Sequence, residues 1–268
     1  MTRTRASRRL ATAFAVVPVL AACSSGGDGG AATTGQDATT MIVFAAASLR
    51  STFEELGEEF ESEHDGVDVQ FNFDGSSNLV AQIQQGASAG VFASADTANM
   101  DKLVADGLVT EPRDFATNTL MIAVPADNPA GVISLADLTR EELNVVICAP
   151  EVPCGRATGR VEALSGLDIV PDSEEQNVTD VLNKVVAGEA DAGMVYVTDV
   201  INAGETVMGI EFPESSAAVN TYPIATVVGA GDEQLAEEFV QLVLGPSGRS
   251  VLESAGFGAP GRTADGTG

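Results

Sequence analysis

From residue 41 onward, short apolar runs alternate with stretches whose apolar positions recur every three or four residues. Met41-Ile-Val-Phe-Ala45 is a continuous apolar run, the pattern of a strand buried on both faces. It stops at Ala46-Ala47-Ser48, after which Leu49, Phe53, Leu56 and Phe60 share one helix face and Ser48 stands in the N-cap position. Val67 to Phe73 alternates as a strand, and Asp74-Gly75-Ser76-Ser77 leads into a second helix through Leu79 and Ile83 that closes at Gly86. Val91-Phe92-Ala93 predicts a third strand, followed by a helix that opens at Ala95-Asp96-Thr97 and runs through Met100, Leu103 and Val104.

The plan then repeats. Strands are expected at 120–124, ended by Pro125, and at 145–147, 192–196 and 224–228, with helices at 155–164, 178–186, 233–244 and 247–255. Alternating strands and helices of this kind make an α/β protein with mostly parallel sheets flanked by helices. The halves read as two lobes, 41–119 together with 225–262, and 120–224. Extended crossings near 119–122 and 222–225 would serve as the hinge.

Upstream of the folded part lie Arg3, Arg5, Arg8 and Arg9, then an apolar stretch from Leu10 to Ala22 that contains Pro18. That order is a secretory signal, and the stretch is shorter than the roughly 20 residues that span a bilayer. Leu20-Ala21-Ala22-Cys23 resembles the lipobox of bacterial lipoproteins, which implies a signal at 1–22 and acylation of Cys23 as the mature N-terminus; the other reading is an ordinary signal with a chance cysteine. Residues 24–40 carry no Val, Ile, Leu or aromatic side chain, so 23–40 reads as a flexible tether that cannot offset the entropy of ordering. With Cys23 taken by lipid, Cys148 and Cys154 are left as a pair outside the reducing cytosol, and a disulfide is expected.

The formal net charge is −26, and loss of the four signal arginines would take it to −30. Dispersed acids such as Glu54, Glu55, Glu58 and Glu59 read as a solvated surface and not as a metal site. Nucleic acid is excluded as a partner, because no basic stripe exists to displace its counterions. No catalytic set can be assembled around the single histidine, His64, and no nucleotide-binding glycine loop occurs, so the chain is expected not to be an enzyme and to need no cofactor.

What recurs instead is a small or hydroxyl residue where a strand passes into a helix. In open α/β sheets ligands bind at these junctions, where the first N–H groups of a helix are free to meet an anion. Ser48 and Ser76 are of this kind, although each could equally be a plain N-cap.

Phe44-Ala-Ala-Ala-Ser48-Leu, Phe73-Asp-Gly-Ser76-Ser77-Asn-Leu, Val91-Phe-Ala-Ser-Ala95-Asp96, Val152-Pro-Cys-Gly155 and Gly193-Met-Val-Tyr196-Val-Thr-Asp199 occur in this order. Together they resemble the molybdate-binding proteins that serve ABC importers. The resemblance implies a two-lobed periplasmic-binding-protein type II fold with the ligand in the inter-lobe cleft. It implies an extracytoplasmic, lipid-anchored monomer that hands molybdate or tungstate to a membrane permease. Carried over residue by residue, Ser48 and Ser76 would give N–H and hydroxyl donors, Cys154 and Val178 backbone N–H groups, and Tyr196 its phenolic O–H. Arg156, outside the family pattern, would either reach the anion or point to solvent and offset nearby acids. The rival readings are a carrier for another small anion, such as sulfate or phosphate, and an exported enzyme on the same fold.

Overall fold

A computed structural model describes residues 39–229 and 231–261; Cys23, the signal and most of the tether lie outside the described residues. The first part of the chain forms β1 (Thr39–Ala46), α1 (Arg50–Glu63), β2 (Val67–Asp74), α2 (Ser76–Gln84), β3 (Val91–Ala93), α3 (Thr97–Ala105) and β4 (Val109–Asn118). A second series follows as β5 (Leu120–Pro125), β6 (Val145–Cys148), α4 (Pro153–Ser165), β7 (Ser173–Glu175), α5 (Val178–Val186), β8 (Ala192–Tyr196), α6 (Val197–Ala203) and β9 (Val207–Ile210). The chain closes with β10 (Asn220–Val227), α7 (Glu233–Leu244) and α8 (Pro246–Ser254).

Two five-stranded sheets result, with strand orders β2-β1-β3-β10-β4 and β7-β6-β8-β5-β9. Each is mixed. β1 pairs parallel with β2 and β3, and β6 parallel with β7 and β8, whereas β10 and β5 run antiparallel to their neighbours. The antiparallel strands are those next to the crossings between sheets, where the chain turns back on its own path.

The apolar run of β1 is explained by burial on both faces. Met41, Val43 and Ala45 join a cluster with Phe53, Phe60, Phe239 and Val243, while Phe44 turns to the other side against Leu79, Ile83, Met100 and Leu103. The second sheet has its own core, built around Ile122, Val146, Val161, Val181 and Met194.

The outward crossing falls between Asn118 and Leu120, as expected, but the return comes earlier than the reading of 222–225 placed it. β10 already begins at Asn220 and pairs with β4 from Asn118 onward, so residues 220–224 belong with the first sheet. The two crossings therefore lie side by side, at Asn118 and Asn220. Ser48 also departs from its expected role. It sits inside a 3₁₀ turn, Ala47–Leu49, ahead of α1, and caps no helix with its side chain.

Candidate functional site

Between the two sheets lies a small cleft, and Ser48, Ser76, Cys154, Val178 and Tyr196 all line it. Ser48 and Ser76 come from the first sheet's β1 and β2 junctions, the other three from the second sheet. Ser76 is the first residue of α2 and Val178 the first of α5, so neither N–H has a partner inside its helix. α4 opens with Pro153, which has no N–H, and Cys154 therefore supplies the first donor there. Three helix N-termini, with their positive dipole ends, thus border one space. A larger cavity beside Arg50, Thr198 and Phe257 shares only the Ala47-Ser48 rim with it.

The hydroxyl groups are supported from behind. Ala95 N–H donates to Ser76 Oγ at 3.0 Å. Asn220 Nδ2 donates to Tyr196 Oη at 2.7 Å and to the carbonyls of Ala95 (2.9 Å) and Pro153 (3.4 Å), while Arg160 donates to its Oδ1. Two carbonyl partners fix which end of the amide is the nitrogen. Tyr196 therefore accepts from Asn220 and keeps its own proton to donate, with Tyr222 Oη beside it as one acceptor. Ser48 Oγ lies 3.1 Å from Tyr222 Oη, which receives Asn118 Nδ2 at 3.5 Å; Tyr222 can then pass its proton to Ser48. Burial drives the hydroxyls of Tyr196 and Tyr222 well above the ordinary tyrosine range, so both keep their protons at neutral pH.

Among the described residues, no Lys, Arg or His lines the cavity. Its one carboxylate, Asp74, accepts from Gly75 N–H at 2.7 Å and from Asn78 Nδ2 at 3.2 Å. Arg156 does not line the cavity; it offsets a nearby acid, as its second reading has it, but lies partly buried and not out in solvent. Its Nε donates to Asp96 Oδ2 at 2.8 Å, joining α4 to the start of α3. Cys148 and Cys154 are joined by a disulfide that ties the end of β6 to the first turn of α4. Gly75, ahead of α2, lies so close to the second sheet's loop that a Cβ would stand 2.0 Å from the Gln176 carbonyl oxygen.

Sequence reasoning missed Asn118, Asn220 and Tyr222, which act through other side chains and match no motif. One signal was available for Tyr222: the chain has only two tyrosines, and both are at the site.

A donor-lined cavity between two α/β units defines a solute-binding protein. The family of bacterial extracellular solute-binding proteins matches residues 41–258, and the chain belongs to it. The molybdate-binding protein ModA of Mycobacterium tuberculosis (strain H37Rv) is 47% identical over 255 residues, covering 95% of this chain and 98% of that protein. The molybdate-binding protein ModA of Escherichia coli (strain K12) is 30% identical over 236 residues, covering 82% of this chain and 90% of that protein. In fold, the chain is similar to the periplasmic molybdate-binding protein of Azotobacter vinelandii, with a TM-score of 0.69 at 22% identity over 82% of this chain and 100% of that one.

Proposed function

We propose that this protein captures molybdate outside the cytoplasm and delivers it to the permease of an ABC importer, binding tungstate as well. It acts as a monomeric carrier and not as an enzyme. Ser48, Ser76, Cys154, Val178 and Tyr196 hold the oxyanion. Cys23 carries the lipid anchor, with 1–22 as the removed signal and 23–40 as the tether.

The observation that carries the reading is a cavity bordered by neutral N–H and O–H donors with no cation among the described residues that line it. A tetrahedral dianion offers acceptors in every direction and nothing to donate, which matches such a lining. Hydrogen bonds to a charged group contribute about 1.5–3 kcal/mol each, so five or more support submicromolar affinity after the costs of association.

Thermal melting and titration calorimetry test this. Molybdate and tungstate should raise Tm and bind stoichiometrically, whereas sulfate and phosphate should do neither. Ser48→Ala, Ser76→Ala and Tyr196→Phe should each weaken molybdate binding by roughly 1–2 kcal/mol. A protein that responds to sulfate and ignores molybdate sinks the assignment.

A further inference from the structure

We propose that Asp96 and Arg156 form a latch between the two lobes that controls how fast the ligand leaves. The proposal rests on the reading of this cavity as the ligand site. Asp96 belongs to the first lobe, at the start of α3, and Arg156 to the second, on the first turns of α4. Arg156 Nε lies 2.8 Å and its Nη2 2.6 Å from the same carboxylate oxygen, Oδ2. The other oxygen, Oδ1, accepts Asn99 N–H at 2.9 Å and caps α3. The two carboxylate oxygens thus divide their work, one inside the lobe and one across it.

The pair flanks the cavity. Ala95, next to Asp96, and Cys154, two residues before Arg156, both line it. The Asp96 side chain is 9% exposed and that of Arg156 27%, so the contact is largely shielded from water and salt. Separating the lobes far enough to release an ion from between Ala95 and Cys154 must pull Asp96 and Arg156 apart. Re-solvating both charges offsets part of that cost but not the loss of their shared, desolvated geometry. The pair ties Arg156 to a carboxylate outside the lining of the cavity.

The test is the rate of molybdate dissociation, followed by stopped-flow displacement with tungstate. Asp96→Asn keeps an oxygen to cap α3 but removes the charge, and Arg156→Gln removes its partner. Each should speed dissociation by about tenfold with association changed less than twofold, as for a contact formed only after encounter. The double variant should be no faster than either single one, and Arg156→Lys should recover part of the effect. Dissociation rates within twofold of the parent in both single variants, or fully additive effects in the double one, overturn the latch. A parent protein that binds neither molybdate nor tungstate refutes the ligand assignment instead. The latch is then judged by the distance between nitroxide labels at Glu58→Cys and Glu189→Cys, which Asp96→Asn must lengthen or broaden; an unchanged distribution overturns it.

Discussion

Asn220 brings two N–H donors and one carbonyl acceptor into a buried position and uses all of them. Because its nitrogen donates to Tyr196, that hydroxyl keeps its own proton to donate. Asn220→Asp would exchange the donor for an acceptor, draw the Tyr196 proton backward and place a carboxylate beside the Ala95 and Pro153 carbonyls. Calorimetry should show a loss of molybdate affinity larger than that of Tyr196→Phe, at least about tenfold. Asp199 is a second buried polar residue behind the site. It accepts Tyr196 N–H at 2.8 Å, but burial outweighs that bond and pushes its carboxyl from 3.8 to about 7. The folded state thus binds this proton more tightly than the unfolded chain, so its contribution to stability falls as pH rises from 3.8 to about 7 and is flat above. Asp199→Asn keeps an acceptor oxygen and cannot ionise. Its Tm relative to the parent should climb across that window, by the equivalent of a few kcal/mol, and then level off. A constant difference at every pH would refute the shift. At this scale the sequence exposed five residues that line the cleft, because they sit in or beside motifs. It hid Asn118, Asn220 and Tyr222, whose partners are remote along the chain.

At the scale of elements, the opening of α4 shows how local chemistry builds a donor. Pro153 starts the helix without an N–H, Cys154 presents the first one, and Gly155 is required because a Cβ there would stand 2.0 Å from the Ala149 carbonyl oxygen. The disulfide to Cys148 holds this turn against the end of β6. Replacing both cysteines by serine should lower stability by about 2–3 kcal/mol on the chain-entropy argument. It should also weaken molybdate binding, because the Cys154 N–H loses its fixed position; denaturant melts and calorimetry on the same variant check both. Unchanged affinity would leave the bridge a purely structural role. The strands that the apolar pattern missed are β4, β7 and β9, and all three are sheet edges. Edge strands need not be apolar on both faces. β4 even carries Pro112 and a residue in the left-handed region, Glu111 at φ 44°, which an outer strand tolerates. The central strands β1, β3, β6 and β8 are enclosed on both sides, and their continuous apolar runs were legible for that reason.

For the whole molecule, the lobes meet at Gly75 and Gln176 and at Asp96 and Arg156, and they are joined by the paired crossings at Asn118 and Asn220. Such an arrangement predicts hinged closure on the ligand. Small-angle scattering should give a smaller radius of gyration with molybdate than without it. In Gly75→Ala the added methyl cannot fit against the Gln176 carbonyl, so the ligand-dependent contraction should shrink and affinity should fall while each lobe stays folded. Identical scattering curves for the parent with and without saturating molybdate would refute the hinge. The high negative charge does not oppose this function if the acids stay on the solvated surface, where the electrolyte screens them over about 10 Å.

The amino-acid sequence alone determined the α/β class, the central strands and the existence of α2, α4 and α5, with α4 opened two residues late at Gly155, since these follow from apolar periodicity and capping chemistry within a few residues. It also marked five of the residues that line the cleft, Ser48 and Ser76 by their place at strand-to-helix junctions and Cys154, Val178 and Tyr196 through the resemblance to a known family. Only the tertiary structure decided that Asn220 orients Tyr196, that Tyr222 stands behind Ser48, and that Arg156 meets Asp96. Each of these contacts joins residues that are distant in the chain, and no local propensity records which distant partner a buried polar group will find.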